Sequence, residues 1–261
     1  MENSSSKVMR LAFVKFGMYS PTLVPEVYHV DFKTETGYPL ALLQRCDLLK
    51  VLSRTVHDQS TVHTSKRVAA IDHHDMGVVI HCEDGTEYSG DIVVGTDGIR
   101  STVRFLMQRH IETTRPGATE KDRNSISAEY SCIFGIGNPV EGVVKSGDGH
   151  RSYAKNHSTL SFVGRGGKLY WFLLSKLEKR CFGNDTPRYT TADMEEVVKA
   201  FYQIYMTDTI SFREVWEQRT FANMLCIGES KNEHWTSDRF VCLGDAVHKV
   251  YQRSCKLSPL R

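Results

Sequence analysis

Residues 91–104 have the sequence DIVVGTDGIRSTVR. The apolar run that ends at Gly95 predicts a buried strand, and Thr96-Asp97-Gly98 predicts a tight turn, because Asp-Gly is a preferred turn pair. The segment from Ser101 to Met107 predicts a short helix. Such a turn places a carboxylate and free backbone N–H groups at a sheet edge, where α/β folds bind ligands. An ordinary strand–turn–helix with a capping aspartate would show the same pattern.

Two further segments carry similar chemistry. Residues 239–249, RFVCLGDAVHK, predict a strand that ends in Gly244-Asp245-Ala246. Glycine lets a ligand approach the backbone, and the aspartate can accept hydrogen bonds from ribose or ribitol hydroxyls. Arg45 lies at the start of a helix predicted over residues 42–57, where an arginine can bind a diphosphate. The alternative for Arg45 is an ordinary solvated side chain.

The middle of the chain has a different pattern. From Ser125 to Leu174 short strands alternate with glycine turns, which predicts an antiparallel sheet. A helix with a Thr190–Asp193 capping box is predicted over Thr191 to Tyr205. Two hairpins are also predicted, one pairing Val78–Cys82 with Glu87–Tyr88 and one pairing Thr159–Val163 with Lys168–Leu174.

Composition excludes several classes of function. The formal net charge is +2 with no basic block, so nucleic acid is not a favoured partner. The seven cysteines form no C-x-x-C pair, which indicates reduced thiols and a cytoplasmic location. The longest apolar run, Leu169–Leu174, is too short to span a membrane. His73-His74 and His81-Cys82 lack metal-ligand spacing, and no G-x-S-x-G motif indicates a hydrolase.

Together, the segments at Arg45, Asp97 and Asp245 resemble the class A flavoprotein (FAD-dependent) monooxygenases, which include para-hydroxybenzoate and salicylate hydroxylases. The spacings, 97 − 45 = 52 and 245 − 97 = 148 residues, are similar to those of the family. The likeness runs from about residue 38 to 249 and is strongest to fungal paxilline-type epoxidases of secondary metabolism. Additional matches are residues 166–172, 215–219 and His234-Trp235.

The resemblance implies roles for individual residues. Arg45 and Asp245 would bind FAD, and Asp97 would lie near the flavin and help to position NAD(P)H. Tyr153 matches a tyrosine that is treated as catalytic in the fungal group, where its phenol could hydrogen-bond or protonate a substrate. The alternative for Tyr153 is an ordinary sheet tyrosine. Arg45, Asp97 and Asp245 are therefore expected to converge on one crevice, with Tyr153 directed toward it.

The resemblance also implies a fold and a reaction. The expected fold class is α/β, with an incomplete Rossmann-like FAD-binding domain interleaved with an antiparallel-sheet substrate domain. Residues 1–110 and 216–261 would form the former and residues 111–215 the latter. The reaction would use NAD(P)H and O₂ to hydroxylate or epoxidise a small apolar substrate, such as a terpenoid, meroterpenoid or aromatic polyketide.

The sequence departs from the family pattern at both ends. A G-x-G-x-x-G opening is missing, since Gly135-Ile136-Gly137 lacks the third glycine, and no Gly-Gln-Gly segment follows Asp245. The resemblance therefore predicts a chain truncated at both ends that binds FAD weakly. A catalytically inactive remnant, or a binding fragment, is the alternative function. A dehydrogenase that uses only NAD(P) would need the complete fingerprint.

Overall fold

The computed structural model describes residues 14–19, 27–30, 37, 44–140, 149–206 and 209–250; for 14–19, 27–30, 151–154, 165 and 184 it describes the backbone only. The helices are α1 (Arg45–Thr55), α2 (Thr102–Thr114), α3 (Glu120–Arg123), α4 (Thr191–Lys199) and α5 (Phe212–Glu217). The strands are β1 (Val14–Tyr19), β2 (Val27–Val30), β3 (Val68–His74), β4 (Gly77–Cys82), β5 (Glu87–Gly90), β6 (Val93–Gly95), β7 (Ser127–Gly137), β8 (Gly149–Ala154), β9 (His157–Val163), β10 (Leu169–Phe182), β11 (Arg219–Lys231), β12 (Thr236–Ser237), β13 (Phe240–Cys242) and β14 (His248–Lys249).

The largest element is an eight-stranded sheet with the order β14-β11-β7-β10-β9-β8-β1-β2. Its pairings are antiparallel except between β1 and β8. Side chains on one face of this sheet pack against α4 and α5. The Trp171 ring at the centre is 0% exposed and meets Phe212 and Trp216 edge-on. Burial of these aromatic rings contributes a large apolar area to the core of this region.

Helix α4 begins as the sequence predicts and ends earlier. Thr190 and Asp193 form the expected capping box. The helix stops at Lys199 instead of continuing to Tyr205: residues 200–204 form tighter turns with bonds to the third preceding residue, such as Phe201 N–H to the Val198 carbonyl at 2.9 Å. The carbonyl groups of Tyr202 and Ile204 then accept hydrogen bonds from the first residues of α5. That pairing turns the chain so that α5 can pack on the same sheet face.

A second region is built around α2. The parallel pair β6–β13, extended by β12, and the antiparallel sheet β3-β4-β5 contribute to one apolar cluster with this helix. Met107 and Ile111 of α2 are fully buried there. In this region the predicted Val78–Cys82 hairpin is confirmed, while α2 is longer than the predicted helix.

The predicted α/β fold class with a large antiparallel sheet is confirmed. The domain bounds at residues 110 and 215 stay predictions. β11 belongs to the eight-stranded sheet, although the third predicted segment begins at residue 216. None of the described helices is long and apolar enough to cross a membrane.

Candidate functional site

The parallel pair β6–β13 brings two of the predicted site residues to one sheet edge. Gly95 pairs with Cys242, and the N–H of Leu243 donates to the carbonyl of Gly95 at 2.9 Å. Asp97 and Asp245 therefore follow the carboxyl ends of adjacent parallel strands. In open α/β sheets this edge is where ligands bind.

Asp97 caps helix α2. One carboxylate oxygen accepts from the Ser101 hydroxyl, and the other accepts from the N–H groups of Thr102 at 2.7 Å and Val103 at 3.2 Å. The Ser101 hydroxyl oxygen in turn accepts from the N–H of Arg104 at 2.9 Å. Asp97 thus satisfies the first N–H groups of α2, and its acceptor capacity is largely committed to shaping this turn.

Arg104 joins the two turns and was not singled out by sequence reasoning. Its buried guanidinium donates to the carbonyl of Ile99 at 2.7 Å and to the carbonyl of Ala246. Burial lowers the pKa of Arg104, although nearby groups including Asp97 oppose that shift. The sequence shows an arginine seven residues after Asp97. It does not show that this arginine bonds Ala246, because the two residues are 142 positions apart.

The turn at Gly244 fits a ligand that lies close to the backbone. Gly244 has φ +60°, and no atom lies within 4 Å of the position that a Cβ would take. The Asp245 side chain is 56% exposed and forms an ion pair with Lys249 at 2.9 Å. An exposed carboxylate beside an open glycine backbone suits the hydroxyls of a ribityl or ribose group.

Arg45 is the first residue of α1, and its side chain is exposed. The preceding Gln44 donates from Nε2 to the Tyr170 hydroxyl at 3.4 Å, which connects the start of α1 to β10. A guanidinium at the positive end of an 11-residue helix suits a diphosphate. The convergence of Arg45 with Asp97 and Asp245 on one crevice stays a prediction.

Tyr170 belongs to a half-exposed surface on the side of the large sheet opposite α4 and α5. We call this surface the aromatic face; it comprises Phe134, Phe162, Tyr170, Phe172 and Phe221. The rings of Phe134 and Phe221 are 6.1 Å apart, and Phe221 is exposed. These side chains carry no formal charge, so the surface suits a neutral apolar molecule.

Tyr153 lies in β8, next to the strands that carry the aromatic face. Its backbone pairs with Ser158, which pairs with Leu174 of β10. Its side chain lies outside the described part of the structure, so the expected direction toward the crevice stays a prediction. Among the described residues, no group of three His, Cys, Asp or Glu side chains could hold a metal ion.

No protein-family model matches the chain. FAD-dependent monooxygenase BOA8 of Botryotinia fuckeliana is 44% identical over 218 residues, which are 82% of this chain and 28% of the relative. FAD-dependent monooxygenase andE of Emericella variicolor is 33% identical over 244 residues, which are 93% of this chain and 50% of the relative. The chain therefore spans about half, or less, of the length of these curated relatives.

Solved structures give the same fold. The chain superposes with a TM-score of 0.68 on Klebsiella pneumoniae HpxO complexed with FAD and uric acid, at 16% identity over 92% of this chain and 58% of HpxO. A salicylate hydroxylase substrate complex gives 0.59 at 14% identity over 92% of this chain and 57% of that chain. The curated homologues are FAD-dependent monooxygenases of fungi, which confirms the resemblance to class A flavoprotein monooxygenases and their fungal members in secondary metabolism.

Proposed function

We propose that this chain supplies part of the cofactor site and the substrate wall of an FAD-dependent monooxygenase that oxidises a small apolar metabolite. The supporting observation is the sheet edge at which Arg104 joins the Asp97 turn to the Asp245 turn. The curated homologues of this chain are FAD-dependent monooxygenases, which supports the assignment of this edge to FAD. The substrate would be a terpenoid, meroterpenoid or aromatic polyketide, and the reaction would consume NAD(P)H and O₂.

The cofactor contacts would come from three positions. Arg45 would hold the diphosphate with its guanidinium and the first N–H groups of α1. Asp245 would accept hydrogen bonds from hydroxyls of FAD, with Lys249 keeping the local charge balanced. Asp97 would act through the turn that it caps, so that the backbone of residues 98–100 lies beside the cofactor and NAD(P)H. FAD bound there and reduced by NAD(P)H would supply the activation of O₂.

The substrate contacts would come from the aromatic face. Its half-exposed rings offer apolar area without a charged group, which favours a neutral ring system over a carboxylate or phosphate. Tyr153, on the adjoining strand β8, would donate a hydrogen bond or a proton to a substrate oxygen. With substrate bound, apolar rings would also keep water from the reacting atoms, which would limit loss of reducing equivalents.

A catalytically inactive remnant is not favoured, because the curated homologues are named as monooxygenases. A cytoplasmic location stays a prediction that rests on composition.

A monooxygenase and a binding fragment differ in one measurable property. A monooxygenase requires Tyr153 and the aromatic face for turnover, whereas a binding fragment requires only the cofactor contacts.

The test is FAD binding to the purified chain, measured by flavin fluorescence. Arg45→Ala and Asp245→Asn should each raise the Kd for FAD about tenfold to a hundredfold, because a charge-assisted hydrogen bond contributes about 1.5–3 kcal/mol. Arg54→Ala, at the other end of the same helix, is the matched control and should leave the Kd within about twofold. Site variants that bind FAD as tightly as the control would refute the cofactor assignment. Unchanged NADPH-dependent turnover in Tyr153→Phe would refute the role of that tyrosine.

A further inference from the structure

Asn232 lies in the segment between β11 and β12, and its side chain is 2% exposed. Its side-chain amide donates to the carbonyl of Val247 at 2.8 Å and to the Ser230 hydroxyl at 2.9 Å. Its backbone N–H donates to the same Val247 carbonyl at 2.9 Å. One residue therefore makes two hydrogen bonds to the carbonyl of Val247, the last residue of the turn around Asp245.

The acceptor atom of Asn232 is also engaged. Its Oδ1 accepts from the Ser125 hydroxyl at 3.2 Å and from Nε2 of Gln108 at 3.5 Å. Gln108 belongs to α2, so the network anchors the Asp245 turn to the helix that Asp97 caps. A buried polar network of this kind specifies one arrangement when every member has a partner.

The neighbouring residues hold Asn232 in place. The Trp235 indole N–H donates to the Asn232 carbonyl at 2.9 Å. Buried Asp122 accepts from the backbone N–H groups of Glu233 at 2.6 Å and His234 at 3.1 Å, and it contacts His234 Nδ1 at 2.9 Å. The segment 232–235 is thus fixed through both its backbone and its side chains.

We infer that Asn232 is a positioning residue that holds the turn from Gly244 to Val247 so that Asp245 is presented at the cofactor edge. That Asn232 holds the turn rests on its hydrogen bonds alone. That the held turn serves FAD binding rests on the proposed function. Arg104 holds the same turn through the Ala246 carbonyl. The turn therefore has one support from α2 and one from the segment after β11, and each can be tested separately.

The first readout needs no cofactor. Hydrogen exchange of the Ala246 and Val247 amides, which donate to Leu243 and Gly244, reports whether the turn is closed. Asn232→Asp keeps the shape of the side chain, loses both amide donors and brings a carboxylate toward the Val247 carbonyl. These amides should exchange at least about tenfold faster in Asn232→Asp, while amides of the β7–β10 pairing keep their protection.

Two controls separate positioning from general stability. Ser125→Ala removes one bond to Oδ1 and the bond to the Ser230 hydroxyl at 3.0 Å, but it leaves both bonds to Val247, so exchange in the turn should stay within about twofold of wild type. Asn124→Asp makes the same chemical change at an exposed asparagine whose side-chain amide donates to the Glu120 carbonyl at 3.3 Å, outside the network of Asn232. If Asn232→Asp fails to fold, Asn232→Ser, which also lacks the amide donors, takes its place. Wild-type protection of both turn amides in a folded Asn232 variant would overturn the inference.

The second readout is the Kd for FAD of the same proteins. Asn232→Asp should weaken FAD binding about tenfold, and both controls should bind as the wild type does. A loosened turn with unchanged FAD affinity would overturn the claim that the positioning serves the cofactor. Absence of FAD binding by the wild-type chain would instead refute the proposed function, and the exchange data would still decide whether Asn232 holds the turn.

Discussion

Helices α1 and α4 share the same arrangement of apolar and charged positions, but they have different surroundings in the structure. Both carry apolar residues at helical spacing, and both have an acidic residue in the first turn and a basic residue in the last. Helix α4 buries Met194 and Val198 against the large sheet. Helix α1 buries no residue, and its apolar positions Leu48, Leu49 and Leu52 are exposed.

The difference shows what an amphipathic pattern determines. Spacing predicts that a helix forms and which side of it is apolar. It does not determine whether a matching surface exists, because that depends on residues distant in sequence. The helices also differ at their starts, since α4 has a complete capping box and Gln44 before α1 makes no side-chain capping bond.

The largest expected effect comes from matched truncations in the two helices. Met194→Ala in α4 should lower the free energy of unfolding by about 2–5 kcal/mol, because Met194 is only 6% exposed and its truncation leaves a cavity in the core. Leu49→Ala in α1 should change it by at most about 0.5 kcal/mol, because that side chain is 52% exposed. Leucine and methionine have similar helix propensities, so the comparison isolates burial.

Urea unfolding, analysed with a common m-value, provides the measurement for both variants. A loss of similar size in Leu49→Ala and Met194→Ala would mean that α1 packs against a surface in solution, and the contrast between the helices would be wrong. A loss confined to Met194→Ala would support it.

A smaller effect is expected at the helix starts. Thr190→Ala should cost about 1 kcal/mol of stability, because the Thr190 hydroxyl accepts from the Asp193 N–H at 3.2 Å and donates to the Asp193 carboxylate at 2.7 Å. Gln44→Ala loses the long bond to Tyr170 and a weak bond from the Cys46 thiol to Gln44 Oε1 at 3.5 Å, and it should cost about 0.5 kcal/mol or less. Thermal unfolding of the two variants provides the comparison, and a larger loss at Gln44 would show that the contact with β10 anchors α1 strongly.

Local features of the fold could be predicted from the sequence. The hairpin around residues 164–167, the capping box of α4 and the strand before Asp97 all depend on neighbouring residues, and the structure confirms them. The length of β11 and its pairing with β7 could not be predicted, because they depend on strands about 90 residues apart in sequence.

The same limit applies to the candidate site. Asp97 and Asp245 could be proposed from their local motifs, and the parallel pairing of β6 with β13 places their turns at one edge. Arg104 could not be assigned, because its partner Ala246 lies 142 residues away. Asn232 could not be assigned either, since it bonds Val247 across an intervening pair of strands and accepts from Gln108, 124 residues away. An asparagine in a loop has no sequence pattern that distinguishes a buried hydrogen-bonding residue from an exposed one.

The smallest expected effect is the pH dependence of the stability that the Asp193 carboxylate adds to the α4 capping box. Hydrogen bonds from the backbone and side chain of Thr190 lower the pKa of Asp193 below its usual value. A carboxyl group whose pKa is lower in the folded than in the unfolded state adds stability above the unfolded pKa, about 3.9 for aspartate, and that stability is lost as the pH falls through the folded pKa. The stability difference between wild type and Asp193→Asn should therefore be constant near neutral pH and shrink progressively below about pH 4.

Thermal unfolding of wild type and Asp193→Asn at matched pH values between 7 and 3 measures this difference. Glu112, whose pKa is lowered to about 2 by hydrogen bonds from Thr119 and Gly117, titrates in both proteins and cancels in the comparison. Asp47→Asn in α1 is the matched control, because Asp47 also lies in the first turn of its helix but has no capping partner at Gln44. A difference for Asp193→Asn that does not change down to pH 3 would show that the carboxylate charge contributes nothing to the cap. An equal pH dependence for Asp47→Asn would show that the first turn of any helix in this chain produces the effect, and the distinction between a capped α4 and an uncapped α1 would be lost.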